Sequence, residues 1–157
     1  MSLLDSLNEQ VVKVPLEGTD KEEVIPELIE QLVRAGKLSD RSSALEAVEA
    51  REAACSTGIG NGLGIPHGKT SAVDDLVVAL GVCPDGVEFD AIDGEPVYVV
   101  FLILSQPDNP GPHVRTLAEV AGIMKTPGMT ERLASASSAR ELIDMLAEAS
   151  EAISEGP

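Results

Sequence analysis

The sequence is short of positive charge. Lys and Arg number 11 against 27 Asp and Glu, a formal net charge of −16 over 157 residues. Binding a phosphate backbone needs clustered Lys and Arg, so nucleic acid is not expected as a partner. An acidic surface fits a basic protein partner or a salt-rich cytoplasm, and both remain open. Long apolar runs are also missing. The longest covers residues 97–104, too short to cross a bilayer, so no membrane insertion is expected. The opening MSLLDSLNEQ lacks the basic start of a secretion signal, which points to a cytoplasmic location. Two cysteines, Cys55 and Cys83, do not suggest a disulfide framework and are expected as reduced, buried, inert thiols. Two histidines, His67 and His113, share no ligand-type spacing with them, so neither a metal nor any other cofactor is called for. Internal repeats and low-complexity tracts are absent.

What is present supports one globular domain. The length is enough to bury a core without staples, and hydrophobic residues make up 43 % of the chain. The most distinctive stretch is residues 57–70, TGIGNGLGIPHGKT. Glycine stands at 58, 60, 62 and 64, a period of two. An extended segment would put glycine on one face and Ile59, Asn61, Leu63 and Ile65 on the other. Glycine in such a run marks a bend or a close approach of backbone or ligand. Pro66 ends the run and fixes the chain just before His67, a candidate nucleophile. Two other motifs fail here. A phosphate-binding loop ending in Gly68-Lys69-Thr70 needs glycine at 63, where leucine stands. The dinucleotide pattern G-x-G-x-x-G fits no register.

Before this stretch, residues 11–14 read as a short strand closed by Pro15. Thr19 and Glu22 read as a capping box for a helix with an apolar stripe of Val24, Ile25, Leu28, Ile29, Leu32 and Val33. Gly36 is its expected C′ residue, and Pro26 should distort rather than break it. A second helix spans residues 40–54, with Leu45 and Val48 inward and Arg51 near its C-terminal end, where the helix dipole favours a cation. It runs straight into the glycine-rich stretch, which places Arg51 near His67.

Beyond His67, residues 76–83 and 97–104 read as buried strands, with a short edge strand at 86–90 between them. Asp93-Gly94 marks a turn. Gly111-Pro112-His113 opens a helix whose buried face is Val114, Leu117, Val120, Ala121 and Met124. His113 lies in its first turn, where the dipole opposes protonation of the imidazole. A short helix at 127–133 follows, then a last helix capped by Ser138 and Glu141. It carries Leu142, Ile143, Leu146 and Ala149, and the tail from about residue 151 to 157 should fray.

Together, Arg51-Glu52, Ser56-Thr57-Gly58-Ile59-Gly60-Asn61-Gly62, Ile65-Pro66-His67-Gly68, the segment at 89–97, and His113 followed by Leu117 resemble a known family. It is the enzyme IIA domain of the bacterial phosphotransferase system, fructose/mannitol class (type 2), which includes the nitrogen-regulatory IIA proteins. The resemblance covers residues 3–148, and small departures at Gly64 and Val114 leave the chemistry untouched. It implies an α/β fold, a single domain over 1–157 with a mixed sheet of about five strands flanked by helices on both sides. It implies a phosphotransferase component with a phosphohistidine intermediate. His67 is then the phosphoryl acceptor, supported by His113 and Arg51, with Thr57, Asn61, Gly62 and Pro66 as backbone and support of the phosphoryl pocket. The implied donor is the carrier HPr or its nitrogen-branch relative. The implied recipient is a IIB domain for fructose/mannitol-type uptake or, alternatively, a regulatory target protein.

Overall fold

The computed structural model describes residues 3–54 and 56–155. Within them, eleven regular elements follow a short 3₁₀ entry: β1 (Val12–Lys13), α1 (Lys21–Arg34), α2 (Arg41–Ala54), β2 (Gly58–Gly60), β3 (Leu63–Gly64), β4 (His67–Lys69), β5 (Val77–Val87), β6 (Val97–Ser105), α3 (Pro110–Met124), α4 (Met129–Ala134) and α5 (Ala139–Glu155). The strands form one mixed six-stranded sheet in the order β1-β5-β6-β3-β2, with β4 also paired to β6.

The apolar run at 97–104 becomes β6, the centre of the sheet. Val99, Val100, Phe101, Leu102, Ile103 and Leu104 are all fully buried. Consecutive strand residues point to opposite faces, so burial of every one means that both faces are covered. α1 packs over β5 and against α2, while α3 and α4 pack on β6 with α5 behind them. The expected architecture of a mixed sheet with helices on both sides is the observed one. β5 pairs antiparallel to β6, and β3 and β4 pair parallel to it. His67 and the hairpin before it are therefore aligned by the same buried strand.

α1 starts one residue later than the sequence suggests. Asp20 is the N-cap, accepting from the Glu23 N–H at 3.0 Å, and Glu23 in turn accepts from the Thr19 N–H and hydroxyl. Asp20 competes successfully with Thr19 because its carboxylate also meets the positive end of the dipole. Pro26 lies inside an unbroken helix. Gly36 (φ 74°) closes it as a Schellman motif, with Gly36 N–H on the Val33 carbonyl and Lys37 N–H on the Leu32 carbonyl. Leu45 is only half-buried in α2; Ala44 and Val48 face inward.

Three further differences have physical causes. The glycine-rich run is not one extended segment. Asn61 (φ 57°) and Gly62 (φ 77°) turn it into the β2–β3 hairpin, as Asn-Gly favours. The turn separates the expected face: Leu63 and Ile65 are buried while Ile59 is about half exposed. Secondly, residues 86–87 end β5 rather than form a separate edge strand, after a register shift between Val82 and Val87. Thirdly, α3 is rotated relative to its apolar pattern. His113, Thr116, Val120 and Ile123 face inward, and Val114 is 62 % exposed.

The short helix at 127–133 is α4, starting after Gly128 (φ 78°). Ser138 caps α5 by accepting from the Glu141 N–H, and Leu142, Leu146 and Ala149 are buried. α5 continues to Glu155, so residues 151–155 of the expected frayed tail are helical. Cys83 is buried, and burial with Glu27 and Asp85 nearby pushes its thiol up to about 12. That is the inert thiol expected; Cys55 lies outside the described residues. Among the described residues no helix is long and apolar enough to cross a membrane.

Candidate active site

β4 carries His67 directly beneath α2. A Cβ on Gly68 would lie 3.0 Å from the Val48 nitrogen and 3.1 Å from the Ala47 carbonyl carbon. Only glycine allows strand and helix to approach this closely. The approach brings Arg51, one turn beyond Ala47, into the same cleft as His67. From the other side comes α3, whose first residues include Pro110 and Pro112. Proline suits a helix start because its missing N–H has no intrahelical partner there. His113 follows in that first turn and is 8 % exposed.

The cleft, of about 430 Å³, is lined by Arg51, His67, Lys69, His113 and Val114 over a floor of Ala47 and Gly68. The two imidazole rings lie 5.0 Å apart between centroids, tilted by 56°. His67 Nδ1 is 2.9 Å from the Ile65 carbonyl oxygen. A carbonyl only accepts, so Nδ1 carries the proton and donates it. The neutral ring then has its lone pair on Nε2. His113 Nδ1 stands 3.4 Å from the buried Ser105 hydroxyl. Burial is the main cause holding the His113 pKa below its ordinary value, with the neighbouring His67 and Lys69 acting in the same direction. The lowering has the direction expected from the helix dipole, with burial as its main cause.

The seven candidate residues divide into two groups. Arg51, His67 and His113 meet in the cleft. Thr57, Asn61, Gly62 and Pro66 do not line it; they belong to the backbone leading into it. Thr57 is buried against Glu52. Asn61 is held at the hairpin tip by Asp93, which accepts from its N–H at 3.2 Å, and by Thr130, whose hydroxyl donates to its carbonyl at 2.6 Å. A Cβ on Gly62 would lie 2.7 Å from Thr130 Cγ2, so the tip packs where no side chain fits. The Pro66 carbonyl accepts the Ile103 N–H at 3.0 Å, fixing the step into β4. Sequence reasoning gave no role to Glu52 or Ser105. Glu52 had a legible signal, since it follows Ala44 and Val48 at i+4 spacing on the inward face of α2.

A nucleophilic nitrogen, a guanidinium and a second neutral imidazole around one open cleft suit transfer of an anionic group. Comparison with known proteins agrees. Residues 5–149 match the family model "Phosphoenolpyruvate-dependent sugar phosphotransferase system, EIIA 2". The chain is 37 % identical over 128 residues to the PTS system fructose-specific EIIA component of Haloferax volcanii, covering 82 % of this chain and 83 % of that one. It is 34 % identical over 146 residues to the PTS system fructose-specific EIIABC component of Bacillus subtilis, covering 93 % of this chain but only 23 % of that longer protein. The crystal structure of Nitrogen Regulatory Protein IIA-Ntr from Neisseria meningitidis superimposes with a TM-score of 0.83 at 30 % identity, over 92 % of this chain and 98 % of that one. The chain belongs to the EIIA type-2 family of the phosphoenolpyruvate-dependent sugar phosphotransferase system.

Proposed function

We propose that this protein works in the cytoplasm as a phosphocarrier, taking a phosphoryl group from HPr onto His67 and passing it to a IIB domain for fructose/mannitol-type uptake. The observation that carries this reading is the bond from His67 Nδ1 to the Ile65 carbonyl, which leaves Nε2 unprotonated beside Arg51 and His113. The Nε2 lone pair attacks the phosphorus of the donor's phosphohistidine. The new N–P bond forms as the donor's N–P bond breaks, and that electron pair returns to the donor's ring, which is protonated on its other nitrogen and so leaves as a neutral imidazole. His67 keeps its Nδ1 proton, and the Ile65 carbonyl stabilises the positive charge that its ring acquires. No proton changes hands in this step.

The transferring group spreads charge over its equatorial oxygens, so the protein's task is to position and neutralise. Arg51 offers a fixed charge with forked donors. His113, kept neutral by burial, offers one N–H. Thr57, Asn61, Gly62 and Pro66 act from outside the cleft by fixing its backbone. The product is a phosphoramidate, reactive enough to be transferred again to IIB; a serine ester would hold the group too firmly for a relay.

The whole-length likeness to a nitrogen regulatory protein favours a second reading, a switch whose phosphorylation state alters its binding to a target protein. Labelled phosphoenolpyruvate with enzyme I and HPr tests both. Acid-labile, base-stable label should appear on the wild type and vanish in His67→Ala; label surviving in that variant overturns the assignment. Rapid passage of label to a purified fructose-class IIB supports transport, and retention in its presence supports regulation.

A further inference from the structure

The last turn of α2, which carries Arg51, has no buried apolar anchor. Ala50, Ala53 and Ala54 are exposed and Arg51 is half-buried. The residue that turns inward is Glu52, 6 % exposed. Its Oε2 accepts the Thr57 N–H at 2.7 Å and its Oε1 accepts the Thr57 hydroxyl at 2.5 Å. Burying a carboxylate is costly unless hydrogen bonds replace its hydration, and an apolar side chain would fill the position without that cost. What the carboxylate adds is direction. The Thr57 carbonyl accepts the Ile65 N–H at 3.0 Å, and the Ile65 carbonyl accepts from His67 Nδ1 at 2.9 Å. A continuous path of hydrogen bonds thus runs Glu52, Thr57, Ile65, His67. At its start it is joined to Arg51 by a single peptide bond.

We propose that Glu52 is a positioning residue for phosphoryl transfer. Through Thr57 and Ile65 it fixes the end of α2 against the backbone that orients His67, and so sets where Arg51 stands relative to Nε2. This rests on the phosphocarrier reading. Position matters steeply in such a site, since a misplacement of about 1 Å can cost on the order of a hundredfold in rate. The Ala47–Gly68 contact fixes the middle of α2 against β4. Glu52 fixes its last turn, which that contact does not reach.

The test is a double-mutant cycle in single-turnover transfer from phosphorylated HPr, with thermal melts of each variant. Glu52→Ala should slow transfer roughly ten- to a hundredfold. Glu52→Gln should recover most of the rate, because its amide can accept from the Thr57 N–H and donate to the Thr57 hydroxyl. In an Arg51→Ala background, Glu52→Ala should slow transfer by less than about threefold, because the residue it places is gone. Equal slowing with and without Arg51 would overturn the proposal, as would unchanged transfer in folded Glu52→Ala. If Glu52→Ala does not fold, Thr57→Val, which removes one of the two bonds, replaces it in the same cycle. Absence of label on wild-type His67 would instead count against the phosphocarrier reading itself.

Discussion

The centre of the sheet and its glycine-rich edge are held by a different balance of forces. β5 and β6 pair through residues such as Val78, Leu80, Phe101 and Ile103, all fully buried. Stabilisation there comes from apolar area removed from water, at roughly 25 cal/mol per Å², and is non-directional. The β2–β3 hairpin joins the same sheet through the β3–β6 pairing and the buried Leu63, and carries in addition individual polar links around it: Glu52 to Thr57, Asp93 and Thr130 to Asn61, and Ser56 to the Phe89 carbonyl. These are directional and fix angles as well as distances. The centre therefore supplies stability and the edge supplies geometry. The two should separate under mutation.

The largest effect is expected at the centre. Phe101→Ala should cost about 3–5 kcal/mol of folding stability, read by denaturant unfolding. Transfer per folded molecule should stay close to wild type. A selective loss of transfer at unchanged stability would break the division. Next comes Arg51 in the cleft. Arg51→Ala should cost about 2–4 kcal/mol in the transition state, or roughly thirty- to a thousandfold in single-turnover transfer. Its melting temperature should change little. Arg51→Lys should remain impaired, because a point charge does not reproduce the fork. Wild-type transfer in Arg51→Ala would make that residue purely structural.

The smallest effect is expected at His113, which touches both categories. His113→Gln keeps a donor and should lose less transfer rate than His113→Ala. The pH dependence of stability has a definite sign. The folded pKa lies below the ordinary 6.5, mainly through burial. Between that lowered value and 6.5 the unfolded chain binds the proton more readily than the folded one. Stability should therefore rise with pH across this window and be lost as pH falls through it. His113→Gln should flatten that part of the profile in melts recorded against pH. An unaltered slope would mean that His113 is not the buried neutral group described.

Much of this division can be read in the sequence, though not evenly. The apolar run at 97–104 and the stripes of α1 and α5 identified the core, because burial follows periodicity directly. Arg51, His67 and His113 were legible as a group, and the fold brings them together. The alternating glycines signalled a bend or close approach without placing it; the Asn61-Gly62 pair is what locates the turn. The inward face of α3 was misplaced because the site turns a polar residue, His113, into the interior, and Val114 is carried outward with it. Glu52 was named in the motif with Arg51 but given no role of its own, for the related reason that an acid on a helix is ordinarily solvated.

The central claim is that the Ile65 carbonyl selects the tautomer of His67 and thereby the nitrogen that carries phosphate. Phosphorylating ¹⁵N-labelled protein with enzyme I, HPr and phosphoenolpyruvate, then recording long-range ¹H–¹⁵N and ³¹P spectra, tests it directly. The expected result is phosphorus on Nε2 of His67, with Nδ1 still protonated. Phosphorus on Nδ1, or on any residue other than His67, would contradict it.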